Sequence, residues 1–178
     1  ERERGFTKSA RKGVISSHTV SCPYRNPTLH RRPISGMKFK YLKFPLSHRS
    51  EFFGSHILKP IIPIGIASKD GSFDYNALID SGADFSIFDG QIAQVLGLDL
   101  ESGIPVSFGG VQDAGIAKAY LHEITLIVGG NKYKTLVGFS DDIAKHGFAI
   151  LGQKGFFDMF SIKFDLAKED IELKKREQ

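Results

Sequence analysis

From Pro60 onward, short apolar runs alternate with turns rich in Gly, Asn and Asp. Residues 61–67 and 73–79 form the first two runs, and the Lys69-Asp70-Gly71-Ser72 segment between them contains the Asp-Gly step favoured in β-hairpins. The later runs are residues 85–88, 106–108, 116–121, 124–128, 133–139, 150–151, 161–165 and 171–173. This spacing predicts many short strands, packed as a compact β-barrel or a sandwich-like domain.

Two segments interrupt the strand pattern and favour short helices. Residues 91–96 follow Asp89, a suitable N-cap, and are ended by Gly97. Residues 154–160 are predicted to form one or two helical turns. The predicted fold class is therefore all-β, with one or two short helices.

The segments before Pro60 differ from the rest in composition. Residues 1–36 are rich in Arg, Lys, Ser and Pro without an apolar period, which predicts a disordered tail. Met37 opens an alternation of basic and apolar residues, so we interpret 37–59 as an N-terminal extension or edge strand and 60–175 as the folded domain. We expect Met37 to be the natural start. The alternative is a transit peptide, against which the two Glu at the start of the tail argue.

The net charge of +4 is confined to the tail. Residues 1–36 contain eight Lys and Arg against two Glu, whereas the remaining residues contain sixteen Lys and Arg against eighteen Asp and Glu. We therefore expect no nucleic-acid binding by the folded domain, although binding through residues 1–36 stays open as a hypothesis. No run of eighteen apolar residues occurs, so neither a transmembrane helix nor a membrane partner is expected.

Cysteine and histidine positions predict neither a disulfide nor a metal site. Cys22 is the single cysteine of the chain, and the six His have no partners at ligand spacing. We therefore expect no metal site of Cys and His, and a reducing, cytoplasmic localisation.

The Leu78-Ile79-Asp80-Ser81-Gly82-Ala83 segment carries the main candidate chemistry. An apolar strand runs directly into a carboxylate, and a buried carboxylate is costly unless it is bonded, paired or used. Asp-Ser-Gly alone also fits an ordinary turn, in which Gly takes a positive φ. A second apolar segment ending in glycine, Ala149-Ile150-Leu151-Gly152, follows some seventy residues later.

Together these two segments resemble those of the retropepsin-like aspartic proteases, the single-domain branch that includes retroviral proteases. The resemblance implies a small closed β-barrel that hydrolyses peptide bonds as a homodimer, without metal or organic cofactor. It implies that Asp80 is the catalytic acid, that the Ser81 hydroxyl bonds across the dimer, and that Gly82 lets backbone N–H groups approach the carboxylates. Ala83 completes this supporting loop.

The chemistry of this family requires two carboxylates at one site. One accepts a proton from the attacking water while the other donates a proton to the substrate carbonyl, so the pair shares a proton. The chain contains one Asp-[Ser/Thr]-Gly, and residues 60–175 are too few for two lobes. A second Asp80 is therefore expected from another copy across a two-fold axis.

The family also has a Gly-rich flap over the substrate, and residues 107–115 lie in the matching place. Gly109, Gly110 and Val111 are therefore predicted to bind substrate, together with Ile150. Any long hairpin loop would show similar glycines, and this alternative stays open. The last two strands, within 160–173, are expected to contribute to the dimer interface, as chain ends do in viral enzymes.

One departure from the family pattern concerns Asp84. The resemblance implies that Asp84 binds substrate backbone and pairs with an Arg after the later glycine, but Gln153 occupies that position. Asp141 and Asp142 precede Ile150 where the family lines its cleft, although a solvated acidic loop is the simpler interpretation. The leading hypothesis is a homodimeric aspartic endopeptidase. The rival is a non-proteolytic, dimeric peptide-binding or assembly domain with the same fold.

Overall fold

The computed structural model describes residues 36–109, 117–143 and 147–177, so residues 1–35 of the predicted disordered tail lie outside the described residues. Within these ranges the strands are β1 (Met37–Lys40), β2 (Leu42–Ser50), β3 (Gly54–Lys59), β4 (Ile61–Ala67), β5 (Ser72–Ile79), β6 (Ile87–Asp89), β7 (Ile104–Phe108), β8 (Ala117–Val128), β9 (Asn131–Ser140), β10 (Ala149–Leu151), β11 (Phe160–Asp165) and β12 (Asp170–Lys175). The helical elements are α1 (Gly90–Val95) and two 3₁₀ turns, Leu100–Ser102 and Asp141–Ile143. The predicted all-β class is confirmed. No helix in the described ranges is long and apolar enough to cross a membrane.

The main sheet closes on itself. Its strands pair in the order β4-β5-β10-β6-β9-β8-β7, and β4 pairs again with β8 from Gly65 opposite Ile127 to Ala67 opposite Thr125. Strand β7 continues along the same edge of β8, where Ile104 lies opposite Leu121. Six strands thus form a closed ring, and β7 and the first half of β8 form a hairpin beyond it.

Local sequence signals account for the elements at the start of the ring. Ser68 accepts hydrogen bonds from the N–H groups of Asp70 and Gly71 at 3.0 and 3.2 Å, which fixes the turn between β4 and β5. The Asp89 carboxylate accepts the Gln91 N–H at 2.9 Å and caps α1. The predicted hairpin and helix are both confirmed.

Large apolar side chains fill the inside of the ring. Phe88, Phe139, Phe156 and Phe160 are fully buried. The rings of Phe156 and Phe160 lie 5.0 Å apart between centroids, and Phe156 packs edge-on against half-buried Phe157 at 6.1 Å. The segment that follows β10 therefore contributes Phe156 to the core.

The two ends of the described chain meet in a separate three-stranded sheet. Strand β12 lies between β1 and β11, with Lys40 opposite Asp170 and Asp165 opposite Asp170. Both edges of β12 are used within the chain, so β1 and β11 form the outer edges of this sheet. Strands β2 and β3 form a further hairpin, on which Phe52 is 87% exposed.

Two predicted element assignments are wrong. The predicted strands 116–121 and 124–128 are not separate, because residues 117–128 form one strand, β8, whose pairing with β9 continues through His122 opposite Val137 and Glu123 opposite Leu136. Residues 155–159 form turns instead of a regular helix, whereas Lys154 pairs with Phe85 in an isolated bridge and Phe160 begins β11. Gly155 adopts φ +90° there, which breaks a helical path.

Candidate active site

Asp80 stands one residue beyond the end of β5. Strand β5 runs parallel to β10, with Ile79 opposite Leu151. The Asp80 N–H donates to the Leu151 carbonyl at 3.0 Å, which extends the ladder past the strand. The backbone at Asp80 is therefore fixed by its hydrogen bond to β10.

The side chain of Asp80 lies on the outer face of the ring. Ala77 and Ile79 are buried in the core, whereas Leu78 and Asp80 are half-buried, as alternation along a strand requires. Ile150, the register partner of Leu78, is also half-buried. The expectation that the strand drives Asp80 into a buried place is therefore corrected, because the pleat turns the carboxylate away from the core.

The Asp80 carboxylate is held by its own loop. Its Oδ1 accepts the Gly82 N–H at 2.9 Å, and the Ala83 N–H donates to the Asp80 carbonyl at 3.3 Å. No salt bridge joins Asp80 to any residue in the described ranges. Ser81 and Gly82 are exposed at the apex of this loop.

Gly82 does not occupy the conformation that an ordinary turn requires of glycine. Its φ lies outside the left-handed region. A Cβ placed on Gly82 would meet Asp80 Oδ1 at 3.2 Å and no other heavy atom within 4 Å among the described residues. A side chain at residue 82 would therefore crowd the Asp80 carboxylate, whereas the φ of Gly82 does not itself require glycine.

The segment after β10 crosses directly beneath the Asp80 loop. The N–H groups of Gln153 and Lys154 donate to the carbonyls of Ala83 and Asp84 at 2.8 and 2.9 Å. A Cβ on Gly152 would stand 2.7 Å from the Ala83 carbonyl oxygen, and nearer still to Phe85 backbone. Close backbone approach therefore requires glycine at 152, and the two motifs predicted to act together are in contact.

Ser86 holds the segment after β10 against the Asp80 loop, and the sequence did not indicate this role. Its side chain is fully buried, and its Oγ accepts the Gly152 N–H at 3.1 Å. Its N–H donates to the Lys154 carbonyl, and its carbonyl accepts the Gly138 N–H, both at 2.8 Å. The available signal was a hydroxyl residue inside the apolar run of residues 85–88.

The side chain of Gln153 reaches the apex of the loop. Its Nε2 donates to the Ser81 carbonyl at 2.6 Å. Asp84 is exposed and has no ion pair in the described ranges. Gln153 therefore contacts the backbone of the loop instead of the Asp84 carboxylate.

The predicted flap corresponds to the hairpin of β7 and β8. Phe108 pairs with Ala117 at its described end, and Gly109 is exposed beyond it. The ring of Phe108 packs edge-on against Phe85 with 5.9 Å between centroids, which joins the hairpin stem to the Asp80 loop. Gly110 and Val111 lie outside the described residues, so their substrate-binding role stays a prediction.

Asp141 and Asp142 are exposed, and Asp142 has a structural partner. Its Oδ2 accepts the Lys118 N–H at 3.3 Å, while the Ser140 hydroxyl donates to the Lys118 carbonyl at 2.6 Å. The Lys118 pKa is raised, first by its hydrogen bond with the Tyr120 hydroxyl. The hydrogen bonds of Asp142 and Ser140 to Lys118 anchor the base of the β7–β8 hairpin, a role that the sequence did not indicate.

Sequence comparisons do not identify the chain. No protein-family model matches it, and no curated protein does. Across the parts of the chain that the structure describes, no three His, Cys, Asp or Glu side chains cluster as metal ligands would.

Comparison with solved structures identifies the fold. The chain is similar to a retropepsin-like aspartic protease from Rickettsia conorii, with 17% identity and a TM-score of 0.51, covering 79% of this chain and 100% of that one. It is also similar to the EIAV protease complexed with the inhibitor HBY-793, with 22% identity and a TM-score of 0.38, covering 53% of this chain and 82% of that one. The match to the Rickettsia structure, together with the closed ring of strands, shows that the chain has a retropepsin-like fold.

Proposed function

We propose that the chain is an aspartic endopeptidase whose active site forms between two copies, each contributing Asp80. The observation that carries the proposal is the Asp80 loop. It presents a carboxylate without an ion pair among the described residues, on the outer face of a retropepsin-like fold, beside a glycine whose N–H donates to that carboxylate. The known proteases of similar structure support the reaction class.

A single carboxylate cannot perform both proton transfers of peptide hydrolysis. In the proposed site one Asp80 is ionised and removes a proton from a water molecule, whose oxygen attacks the scissile carbonyl carbon. The other Asp80 is protonated and donates to the carbonyl oxygen. Transfer of a proton to the amide nitrogen then breaks the C–N bond and releases the two peptides.

The apex of the loop is suited to contact a second copy. Ser81 and Gly82 are exposed, and the Ser81 hydroxyl has no hydrogen-bond partner in the described ranges. In a symmetric dimer with Asp80 on the axis, the two loops would face each other, and each Ser81 hydroxyl could bond the partner loop. Gly82, without a side chain, would allow this close approach.

The substrate would lie between the outer face of the ring and the flap hairpin. Leu78 and Ile150 would form an apolar wall beneath the scissile bond, because they lie on the same outer face of the ring as Asp80. The exposed Asp84 carboxylate is free of ion pairs in the described ranges and is proposed to accept a backbone N–H of the extended peptide. We assign the flap role to residues 107–115, as predicted from the sequence, and propose that Gly109, Gly110 and Val111 bind the substrate.

The test replaces Asp80 with Asn, which keeps the size of the side chain and removes its acid-base chemistry. Cleavage of a peptide library would be followed by mass spectrometry, and the dimer by sedimentation at micromolar concentration. We expect Asp80→Asn to abolish cleavage and keep the dimer, whereas Asp99→Asn, the same change at an exposed site, keeps both. A parent protein that forms dimers and binds peptides without cutting them would favour the non-proteolytic alternative.

A further inference from the structure

The peptide group between Ser81 and Gly82 is bonded at both of its polar ends. Its carbonyl accepts the Gln153 Nε2–H at 2.6 Å, and its N–H donates to Asp80 Oδ1 at 2.9 Å. Because the peptide group is planar and rigid, fixing the carbonyl also fixes the direction of the N–H. The two bonds therefore act in series between Gln153 and the Asp80 carboxylate.

The backbone that carries Gln153 is itself anchored. The Gln153 N–H donates to the Ala83 carbonyl at 2.8 Å, and Gly152 before it is held by Ser86 Oγ at 3.1 Å. The side chain thus extends from a fixed point to the loop apex. Ser81 and Gly82 are exposed, so without Gln153 the peptide plane would be held from one end only.

The chemistry of a glutamine amide suits this position. Its NH₂ group donates a hydrogen bond to the Ser81 carbonyl without adding a charge beside Asp80. Hydrogen bonds in series polarise one another, so the first bond strengthens the second. A donor on the carbonyl thereby makes the Gly82 N–H a better partner for the carboxylate.

We propose that Gln153 is a positioning residue that orients the Asp80 carboxylate through the Ser81–Gly82 peptide group. This inference rests on the proposed function. One hydrogen bond of ordinary net strength corresponds to a fall of about 3- to 10-fold in kcat on its loss. We expect KM to stay unchanged, because the Gln153 side chain acts on Asp80 through the Ser81 carbonyl.

The first measurement does not depend on catalysis. Amide hydrogen exchange of Gly82 would be followed by NMR in the full chain for the parent, Gln153→Ala and Gln94→Ala, the last being a matched change on the exposed side of α1. We expect Gln153→Ala to speed Gly82 exchange by about 3- to 10-fold, in line with one lost hydrogen bond. Gln94→Ala leaves it unchanged.

A second variant separates hydrogen bonding from bulk. Gln153→Glu keeps the size of the side chain, and a glutamate carboxyl has an ordinary pKa of about 4.3. Below this pH the protonated carboxyl can donate a hydrogen bond to the Ser81 carbonyl, and above this pH the ionised carboxylate cannot. Relative to the parent at each pH, we expect normal Gly82 exchange at about pH 3 and faster exchange at about pH 6.

The outcomes distinguish this inference from the proposed function. Gly82 exchange that is unchanged in Gln153→Ala, or that changes equally in Gln94→Ala, overturns the positioning role. If the parent cleaves peptides and Gln153→Ala speeds Gly82 exchange without lowering kcat, the positioning role is overturned as well. If exchange responds as expected but the parent cleaves no peptide, the link from Gln153 to Asp80 stands and the proposed function fails.

Discussion

Removing the hydroxyl of Ser86 tests whether the crossing beneath the Asp80 loop depends on one buried hydrogen bond. Ser86→Ala keeps the Cβ, the backbone bonds and the packing, and removes only Oγ. The Gly152 N–H, which is buried and donates to this Oγ at 3.1 Å, then loses its partner. The perturbation is therefore one orphaned donor at a fully buried position.

The size of the effect follows from that orphaned donor. Leaving a buried N–H without a partner costs about 1–3 kcal/mol, more than the net value of an exposed hydrogen bond. With an m-value of about 2 kcal/mol per M of urea for a chain of this size, the unfolding midpoint falls by about 0.5–1.5 M. The m-value itself stays unchanged, because the surface exposed on unfolding is the same.

Urea unfolding at one fixed protein concentration provides the assay, since dimerisation would otherwise shift the midpoint. The matched control is Ser161→Ala, the same change at an exposed position of β11. We expect the control midpoint to equal that of the parent. If Ser86→Ala unfolds at the same urea concentration as Ser161→Ala, the Ser86 bond does not hold the crossing and our reasoning fails.

Two further changes separate site chemistry from stability. Gly82→Ala should lower peptide cleavage by at least about tenfold while shifting the free energy of unfolding by less than about 1 kcal/mol, because its Cβ meets only Asp80 Oδ1 at 3.2 Å; unchanged cleavage would mean that the site does not need a glycine beside Asp80. Lys40→Met should destabilise the fold more at about pH 7 than at about pH 2, as urea midpoints at both pH values would show. The hydrogen bond from Lys40 lowers the pKa of Asp170, so its stabilisation is present above the unfolded pKa of about 4 and is lost as pH falls through the folded value. A destabilisation of equal size at both pH values would contradict this origin.

Local patterns in the sequence identified the elements that local chemistry determines. The Asp70-Gly71 step and the alternating runs around it predicted the β4–β5 hairpin, and Asp89 predicted the start of α1. The Asp80 and Gly152 segments were identified together through resemblance to a known family, whereas their parallel pairing is a finding of the structure. Each of these predictions depends on residues that are close in the chain or on a recognisable motif.

Features set by contacts between distant segments were missed. Ser86 is important because Gly152 lies against it, 66 positions later in the chain, and composition does not reveal that contact. The Gln153 bond to Ser81 likewise arises from the parallel pairing of β5 with β10. Asp80 points outward because successive side chains of a strand alternate between its two faces. The apolar residues before Asp80 do not indicate which face its side chain takes.

The central claim is that two Asp80 carboxylates form one active site, and mixing of chains tests it most directly. Parent and Asp80→Asn chains would be unfolded together, refolded in varied ratios at constant total concentration, and assayed for peptide cleavage. If both carboxylates are required, activity follows the square of the parent fraction, and an equal mixture retains about one quarter of the parent activity. Activity in direct proportion to the parent fraction, with about one half remaining in the equal mixture, would contradict the shared site.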